Sequence, residues 1–597
     1  MSAEGWLQVA VYMVVLTALT PPLGAYMARV YQGRPLLLGR VLGPVERGIY
    51  RILGPSARVE QDWKAYGRTT IVFSAVFFVV LYAILRTQAI QPFNPEGFGS
   101  APWDVTFNTT SSFVTNTNWQ FYGGETTMSY FSQMAGLAVQ NFVSAAVGMA
   151  VLAAVIRGFA SRGSAELGNF WRDVTRTLLY ILLPLSFAGA LVLASQGVIQ
   201  TLDGTVTFDT ITGGSQSLAL GPVASQVAIK QLGTNGGGFF GVNSAYPFEN
   251  PTQFSNFVEM LFILLIPAAL TATYGRMVGN RRQGWAIYAA MLIMLVVTMG
   301  VGYAAESNGS PAQRAAGIEA NVGATDVNVT DADRQAGGNM EGKEQRNGIA
   351  ASTTWAAATT AASNGSVNSA LDSYTGIGGL VPMFNMMTGE VIFGGVGSGL
   401  YGMLLFVLLA VFIAGLMVGR TPEYLGKKVE AREIKLVMIG TIVVPLLVLI
   451  ATGIAISSKY GEPSIYNPGP QGFSEVLYAY TSQGNNNGSA FAGFTGFLQP
   501  NAPGNAGSFG ITFADILGGL SMLFARFVPL LAALAVAGSL AVKRAHPAGP
   551  GTFRTDTPIF VVLLIGVVVL VAALTFFPAV LLGPVVQGLT DSLVFPH

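Results

Sequence analysis

Four short segments rich in Asn, Gly, Thr and Ser interrupt an otherwise apolar chain at nearly even spacing. Each follows a short helix-like stretch and is flanked by apolar runs of membrane length. The segments are Thr115-Asn116-Thr117-Asn118, Thr234-Asn235-Gly236-Gly237, Ser363-Asn364-Gly365-Ser366 and Asn486-Asn487-Gly488-Ser489, with Asn116, Asn235, Asn364 and Asn487 taken as equivalent. Because four small polar loops can surround a pore with backbone carbonyl oxygens, the pattern predicts an ion-selective pathway.

These residue types suit a dehydrated K⁺ ion. Backbone carbonyls can replace its water without fixed charge, and Gly and Asn tolerate the dihedral angles that point successive carbonyls inward. No Asp or Glu occurs in the four segments, which argues against a divalent site. Asn118 follows Thr117 where the other loops have Gly, so we expect a pseudosymmetric, short filter. The predicted filter residues are Thr115, Asn116, Thr117, Asn118, Thr234, Asn235, Gly236, Gly237, Ser363, Asn364, Gly365, Asn486, Asn487 and Gly488.

Composition identifies a membrane protein. The 597 residues are 51% hydrophobic and only 10% charged, whereas soluble domains carry about 25% charged residues. Cysteine is absent and there are two histidines, His546 and His597. Thiolate, haem and histidine-based centres are therefore excluded, and we expect K⁺ as the transported ion with no organic cofactor. The net charge of +1 gives no indication of nucleic-acid binding.

The apolar runs predict an all-α polytopic membrane protein with ten transmembrane helices. We place them at residues 6–28, 67–88, 128–156, 172–195, 252–276, 283–304, 371–417 (broken), 435–457, 511–541 and 557–583. Most of the 31 basic residues lie between spans one and two, three and four, five and six, seven and eight, and nine and ten. These five segments are all on the same side of the membrane. By the positive-inside rule that side is cytoplasmic, so both termini and all four loops are expected on the extracellular or periplasmic side.

Spans two to nine are predicted to form four pseudosymmetric units of helix, pore helix, filter loop and helix, with one extra helix at each end of the chain. The pore helices are expected at residues 103–114, 221–232, 347–362 and 473–484, too short to cross a bilayer. The resulting divisions are 1–66 (first span and basic loop), 67–160, 161–280, 281–432 and 433–545 (the four units) and 546–597 (last span). The third unit includes a polar outer loop, 305–346, and the broken helix 371–417.

Three residues outside the loops are candidates for filter support or ion exit. Gln120 follows the first loop and is expected to brace the ion site, or else to face lipid headgroups. Glu390 lies in a Gly-rich break inside the seventh span, where it would attract K⁺ or satisfy backbone amides freed by the break. Arg526 lies in the middle of the ninth span and must face protein or water. It would obstruct straight-through leakage, or form an ion pair with Glu390.

Lys230 lies beside the second loop, where a positive charge is unexpected. We expect it to extend toward the outer face or to pair with Glu249 or Glu259, and we assign it no transport role.

The chain resembles the KdpA family, the potassium-binding subunits of the bacterial Kdp ATPase. The likeness covers nearly the whole chain and is carried by residues 115–120, 233–238, 389–402, 419–428 and 485–493. KdpA is similar in architecture to the Trk/Ktr potassium transporters. In the third loop, Ser363-Asn364-Gly365 stands where family members often have Ser-Cys-Gly. Because carbonyls do the coordinating, we expect the site to be preserved, with an effect on affinity or on Rb⁺ discrimination.

The resemblance implies a K⁺-binding and translocating subunit in a bacterial plasma membrane. It would bind external K⁺ in its filter and pass it sideways to KdpB, a P-type ATPase, in a complex with KdpC and KdpF. The sequence contains neither an Asp-Lys-Thr-Gly phosphorylation motif nor a G-x-x-x-x-G-K-[ST] loop. The chain is thus not expected to be an enzyme on its own, and its expected contacts are these subunits and membrane lipid, not nucleic acid. The alternative is a free-standing K⁺ channel or ion-gradient-driven transporter of the Trk/Ktr type.

Overall fold

Ten helices long and apolar enough to cross a membrane make up most of the described chain. The computed structural model describes residues 2–36, 38–241, 243–315, 338–496, 510–547 and 553–590. The candidate spans are Ala3–Tyr31, Trp63–Arg86, Ser132–Ala160, Phe170–Ser195, Gln253–Met277, Arg281–Ala315, Ser398–Val418, Ala431–Ser457, Phe513–Ala541 and Pro558–Leu589. The predicted all-α polytopic class is confirmed, and each predicted span overlaps one of these helices.

Local capping explains where several spans begin and end. The Ser2 hydroxyl accepts a hydrogen bond from the Gly5 amide at 3.1 Å at the start of the first span. The fifth span begins with a capping box in which Thr252 and Ser255 satisfy each other's backbone amides. The seventh ends at Gly419, which adopts the left-handed conformation with φ +68°.

Four shorter helices each lie between two spans and end at one of the polar segments. They are Trp103–Val114, Val223–Leu232, Gly348–Ala361 and Gly469–Gly484. The first three lie within two residues of the predicted stretches. The fourth begins four residues earlier than predicted, because Pro470 occupies its first turn, where a missing backbone N–H is tolerated. The order span, short helix, polar segment, span thus occurs four times; the symmetry among these units stays a prediction.

The break predicted in the seventh span separates two helices, Gly376–Met387 and Ser398–Val418. Three glycines in the intervening segment, Gly389, Gly394 and Gly397, have φ of +87°, +65° and +90°. Such angles are disfavoured for other residues, so the helix cannot continue through them. Only the second of the two helices has membrane length.

The remaining elements connect the spans. An amphipathic helix, Gly39–Leu53, follows the first span. Two small antiparallel hairpins pair Val206–Asp209 with Ser215–Leu218 and Glu423–Tyr424 with Lys427–Lys428. Short helical segments occur at Gly54–Ala57, Gln88–Ile90, Gly124–Thr127, Pro311–Ala315, Leu371–Ser373, Glu462–Ser464 and Val586–Leu589, and π-helical turns at Ser132–Ala138, Thr177–Leu182 and Leu581–Val585.

The predicted outer loop 305–346 is only partly described, since residues 316–337 lie outside the described residues. Its first residues still belong to the helix Arg281–Asn308. Glu306 is fully buried there and accepts hydrogen bonds from Lys343 at 2.7 Å and from the Thr375 amide at 2.9 Å. The described ends of this loop are therefore fastened to the sixth span.

Burial differs strongly among the spans. Ser132–Ala160 and Gln253–Met277 are almost entirely buried, whereas Trp63–Arg86 and Ala431–Ser457 expose most of their surface. The two most buried spans each follow one of the polar segments directly. The polar segments are thus held by the centre of the helical assembly, while the exposed spans have the apolar surface that lipid would cover.

Candidate ion-binding site

The four polar segments contact one another in a closed ring. We call them loops 1 to 4, for residues 115–118, 234–237, 363–366 and 486–489. In three of them a glycine packs directly against a carbonyl oxygen of the next loop, leaving no room for a Cβ atom. These pairs are Gly236 with Asn364, Gly365 with Asn487 and Gly488 with Thr117. Loop 1 joins loop 2 through the Asn118 amide nitrogen, which donates to the Gly236 carbonyl at 2.8 Å.

Each loop repeats one backbone pattern, in which two left-handed residues are separated by one ordinary residue. The left-handed pairs are Asn116 (φ +66°) and Asn118 (+52°), Thr234 (+48°) and Gly236 (+71°), Ser363 (+52°) and Gly365 (+91°), and Asn486 (+50°) and Gly488 (+97°). In loop 2 the next residue, Gly237 (+67°), is left-handed as well. Thr117, not Asn116, therefore corresponds to Asn235, Asn364 and Asn487. Aligning the loops by their asparagines misplaces loop 1 by one residue, because backbone conformation and not side-chain identity sets the register.

The residues between the left-handed pairs are Thr117, Asn235, Asn364 and Asn487. The oxygens of Thr117, Asn364 and Asn487 each lie against the glycine of a neighbouring loop. The backbone register places Asn235 at the fourth equivalent position. These four carbonyls are the candidate coordinating layer.

The carbonyls of Gly236 and Gly237 in loop 2, and that of Gly238 just after it, accept hydrogen bonds from side chains. Asn118 donates to Gly236, Ser244 donates to Gly237 at 2.8 Å, and Gln120 donates to Gly238 at 3.0 Å. One lone pair of each oxygen is thereby occupied. Gly236 also leaves the space that the Asn364 carbonyl oxygen occupies.

Asparagine side chains in the predicted filter tie neighbouring loops together. Loop 3 contacts the short helix that precedes loop 2. Loop 4 contacts loop 1 and also the short helix that precedes loop 3. The amide donations are Asn364 to the Lys230 carbonyl (3.2 Å), Asn487 to the Thr359 carbonyl (2.9 Å), Asn486 to the Thr117 hydroxyl (2.9 Å) and Asn116 to the Thr234 carbonyl (3.1 Å). The side chains therefore hold the ring in shape.

Gln120 braces the backbone just after loop 2 with both ends of its amide. Its nitrogen donates to the Gly238 carbonyl at 3.0 Å, and its oxygen accepts from the Gly238 amide at 2.8 Å. The same nitrogen also donates to the Tyr122 hydroxyl at 3.0 Å. Gln120 thus supports the backbone beside loop 2, and its role at an ion site stays a prediction.

The electrostatic environment of the ring favours a cation. All predicted filter side chains are buried, and the loops carry no charged side chain. Each short helix ends one or two residues before its loop, so the negative end of each helix dipole lies beside the ring. Dipoles act strongly in such a site because little water screens them.

The break in the seventh span packs against loops 2 and 3. The Val396 amide donates to the Thr234 hydroxyl at 2.8 Å, and the Gly394 amide donates to the carbonyl of Ala361, the last residue of the third short helix. A cavity of about 60 Å³ lies beside this break, lined by Glu390, Ser398, Tyr401, Asn485, Asn486 and Arg526 among others. The cavity thus borders both the break and loop 4.

Glu390 and Arg526 face each other across this cavity. A guanidinium nitrogen of Arg526 lies 3.9 Å from a carboxylate oxygen of Glu390, and both side chains are about nine-tenths buried. The Ser363 and Ser398 hydroxyls lie within hydrogen-bonding reach of the Glu390 carboxylate. The sequence left an ion pair as one alternative for Arg526, and the structure contains it.

Sequence reasoning missed the residues just beyond loop 2. Asn243 donates to the Gly488 carbonyl at 3.1 Å, and Ser244 receives a hydrogen bond from Lys230. Lys230 pairs with Glu249 and does not extend to the outer face, whereas Glu259 accepts from Gln231 at 3.0 Å. The only sequence signal was the adjacent Asn243-Ser244 pair, which looks like an ordinary turn.

A family profile and named relatives match this chain over almost its full length. The family profile described as "KdpA: Potassium-transporting ATPase A subunit" matches residues 10–589. Proteins named potassium-transporting ATPase potassium-binding subunit are 54% identical in Sorangium cellulosum, over 99% of each chain, and 55% identical in Methylorubrum extorquens, over 98% of each chain. The solved structure of the potassium transporter TrkH from Vibrio parahaemolyticus aligns at 14% identity and a TM-score of 0.48, covering 77% of this chain and 84% of that one.

Proposed function

Because the chain belongs to the KdpA family of potassium-transporting ATPase A subunits, we propose that it is the potassium-binding and translocating subunit of an ATP-driven K⁺ uptake complex. The observation that carries this proposal is the closed ring of four uncharged loops, in which three glycines pack against carbonyl oxygens of the next loop. Such a ring supplies oxygen ligands at fixed positions and adds no fixed charge, as a dehydrated monovalent cation requires.

K⁺ binds in the layer formed by the carbonyls of Thr117, Asn235, Asn364 and Asn487. The tight glycine contacts hold these oxygens in place, and the asparagine ties between loops keep the ring from closing on a smaller ion. The four helix dipoles compensate part of the ion's lost hydration energy. In this mechanism Gly236, Gly365 and Gly488 act through shape.

Below the layer, Arg526 opposes direct passage and Glu390 attracts the ion. A fixed positive charge in a cavity of about 60 Å³ raises the electrostatic energy of a cation there. Glu390, in the break that contacts loops 2 and 3, presents its buried carboxylate at the wall of this cavity. An ion that leaves the filter therefore moves sideways toward a partner subunit.

The partner hydrolyses ATP. We propose a KdpB-like P-type ATPase subunit, together with KdpC-like and KdpF-like small subunits, in a bacterial plasma membrane. The side rich in Arg and Lys faces the cytoplasm and the loops face outward. This chain then supplies ion selection and not chemistry.

The test is K⁺-stimulated ATP hydrolysis by the purified complex carrying Gly236→Ala. The new methyl group would overlap the Asn364 carbonyl oxygen, so we expect the K⁺ concentration for half-activation to rise by about tenfold or more, equivalent to at least about 1.4 kcal/mol of lost binding. Gly279→Ala is the matched control, since Gly279 also has positive φ (+77°) but has no atom within 4 Å of the added carbon.

An unchanged K⁺ dependence in Gly236→Ala would remove loop 2 from the ion site. An equal rise of the half-activating K⁺ concentration in Gly236→Ala and Gly279→Ala would mean that backbone strain alone is responsible. The free-standing transporter alternative is tested separately by reconstituting this chain alone in liposomes, where K⁺ flux without the partner subunits or ATP would support it.

A further inference from the structure

The amphipathic helix Gly39–Leu53, between the first two spans, has three distinct faces. At 3.6 residues per turn, one face carries Leu42, Glu46, Ile49 and Leu53, a second carries Val41, Val45 and Ile52, and a third carries Arg40, Arg47 and Arg51. The first face packs inward. Glu46 accepts hydrogen bonds there from Arg176 at 3.0 Å and from the Tyr180 hydroxyl at 2.7 Å, both on the fourth span.

The second face is apolar and exposed over three turns. Val41, Val45 and Ile52 are 73%, 48% and 87% exposed. The arginine face runs alongside it and is also exposed. An exposed apolar stripe beside a cationic stripe is the arrangement of helices that lie in the membrane interface, with apolar side chains among the acyl chains and arginines at the headgroups.

A cavity of about 200 Å³ opens where this helix begins. Three arginines line it: Arg34, Arg47 and Arg176. Guanidinium nitrogens of Arg47 and Arg176 lie close to Gly43 and Gly33, so small residues leave the space open. Arg176 is paired with Glu46, but Arg34 and Arg47 form no ion pair within the described part of the chain, and the cavity has a net positive charge.

The helix terminus adds to this positive potential. The amides of Gly39, Val41 and Leu42 already donate to the backbone carbonyls of Leu36 and Leu38, so the terminus contributes its dipole and not a set of free donors. The positive end of the helix dipole favours an anion. The arginines carry the argument for an anionic ligand, and the dipole has the same sign.

We propose that this cavity and the adjoining apolar stripe bind an anionic phospholipid, with its phosphate between Arg34 and Arg47 and its acyl chains along Val41 and Val45. A lipid accounts for both halves of the surface, because a free phosphate would leave the apolar stripe without a partner. The helix is joined to two membrane spans through short segments, so it lies at the level of the bilayer surface. Its basic side is the side on which anionic lipids attract arginines.

The test titrates the delipidated purified complex with phosphatidylglycerol or phosphatidylcholine and counts retained lipids by native mass spectrometry. The variant is Arg34→Gln with Arg47→Gln. The control is Arg281→Gln with Arg282→Gln, which removes two exposed arginines outside the cavity. We expect the first pair to weaken retention of one phosphatidylglycerol by about tenfold or more, with phosphatidylcholine unaffected and the control pair like the wild type.

Equal retention of phosphatidylglycerol in wild type and in the Arg34/Arg47 variant would overturn the proposal. Displacement of the bound lipid by millimolar inorganic phosphate would also overturn it, because the site would then be one for a small anion. Retention lowered equally in both arginine pairs would show a general charge effect and not a site.

Membrane insertion of the apolar stripe can be measured separately, because the chain contains no cysteine. A spin label at Val45→Cys in the complex, in phosphatidylglycerol nanodiscs, is expected to be accessible to oxygen and shielded from aqueous nickel reagents. Ile211→Cys, on the fully exposed turn of the first hairpin, is the aqueous reference. The proposal would be contradicted if the label at position 45 were as accessible to nickel as the reference label. It would also be contradicted if a partner subunit immobilised the label and lipid had no effect on it.

Discussion

The Lys230 ammonium lies 2.6 Å from a carboxylate oxygen of Glu249, and the two side chains are only 1% and 0% exposed. Lys230 also donates to the Ser244 hydroxyl, which in turn donates to the Gly237 carbonyl. The other oxygen of Glu249 accepts from the Phe240 amide at 2.8 Å. This buried pair thus fastens the last residue of loop 2 and the backbone just after it.

Removing one partner of this pair is expected to destabilise the protein strongly. Lys230→Met leaves Glu249 buried without its counter-charge, and a buried charge left unpaired costs about 3–5 kcal/mol. The double variant Lys230→Met with Glu249→Leu removes both charges and is expected to be more stable than Lys230→Met alone. The measurement is denaturant unfolding of the purified complex, analysed as a double-mutant cycle.

The pair should also influence K⁺ binding, because Lys230 donates a hydrogen bond to Ser244, and Ser244 donates to the Gly237 carbonyl of loop 2. In the double variant we expect weaker K⁺ activation of ATP hydrolysis even where the free energy of unfolding recovers. A double variant with wild-type K⁺ activation would show that the pair serves stability alone.

Asn118 occupies the left-handed position that glycine fills in the other three loops. Its side chain donates to Gly236 at 2.8 Å and to Asn141 at 3.0 Å. We expect Asn118→Gly to weaken K⁺ activation and K⁺/Rb⁺ discrimination despite relieving the positive-φ strain, because one of the hydrogen bonds that join loop 1 to loop 2 is lost. A net hydrogen bond contributes about 0.5–1.5 kcal/mol, so each bond lost shifts the half-activating K⁺ concentration by about two- to tenfold.

Asn118→Ala separates the loss of the side-chain hydrogen bonds from the relief of the positive-φ strain. It loses the same hydrogen bonds but keeps the strain, so it should be less stable than Asn118→Gly with a similar change in ion dependence. If Asn118→Gly instead binds K⁺ as the wild type does, the side-chain link is dispensable.

Arg526 is expected to block leakage through the cavity beside loop 4. In liposomes that contain the complex without ATP, Arg526→Ala should allow K⁺ flux, because the positive charge is gone and the cavity is larger. Arg526→Lys keeps the positive charge, so we expect no added K⁺ flux in liposomes that contain this variant. No added flux in Arg526→Ala would count against the barrier and leave the ion pair with Glu390 as a structural contact.

Lys427 makes stability depend on pH at the basic side of the protein. It lies in the second hairpin, outside the spans, and its ammonium donates to the Gly158 carbonyl at 3.0 Å. Burial, with a smaller effect from repulsion by Lys543, lowers the pKa of Lys427 to about 8. Below that pH the lysine is charged in both the folded and unfolded states, and the penalty of burying the charge is fully present.

Between pH 8 and the ordinary lysine pKa of about 10.4, the unfolded state binds more protons, so the stability contribution of Lys427 rises with pH. We expect the thermal midpoint of the wild-type complex to rise relative to that of Lys427→Met between pH 7.5 and 9.5. Lys428→Met, at the exposed neighbouring position, is the matched control. Parallel pH curves for the wild type and Lys427→Met would refute the assignment.

The membrane spans could be predicted from local sequence because the bilayer imposes one length and one polarity on every crossing helix. The break at Gly389–Gly397 was also predictable, since clustered glycines weaken a helix wherever they occur. The start of the fourth short helix was not, because Pro470 looks like a terminator although it fits the first turn. The two small hairpins are too short to show a strand pattern.

The types of residue in the four loops determined that the protein would offer uncharged oxygen ligands. Their register was decided only by tertiary structure, because a left-handed residue is recognised by its backbone and Asn, Thr, Ser and Gly all fill that position here. The same holds for the choice of Glu249 over Glu259 as the partner of Lys230. Both glutamates are near in sequence, and only the packing of the fifth span and the residues before it against the short helix Val223–Leu232 decides which carboxylate meets the ammonium.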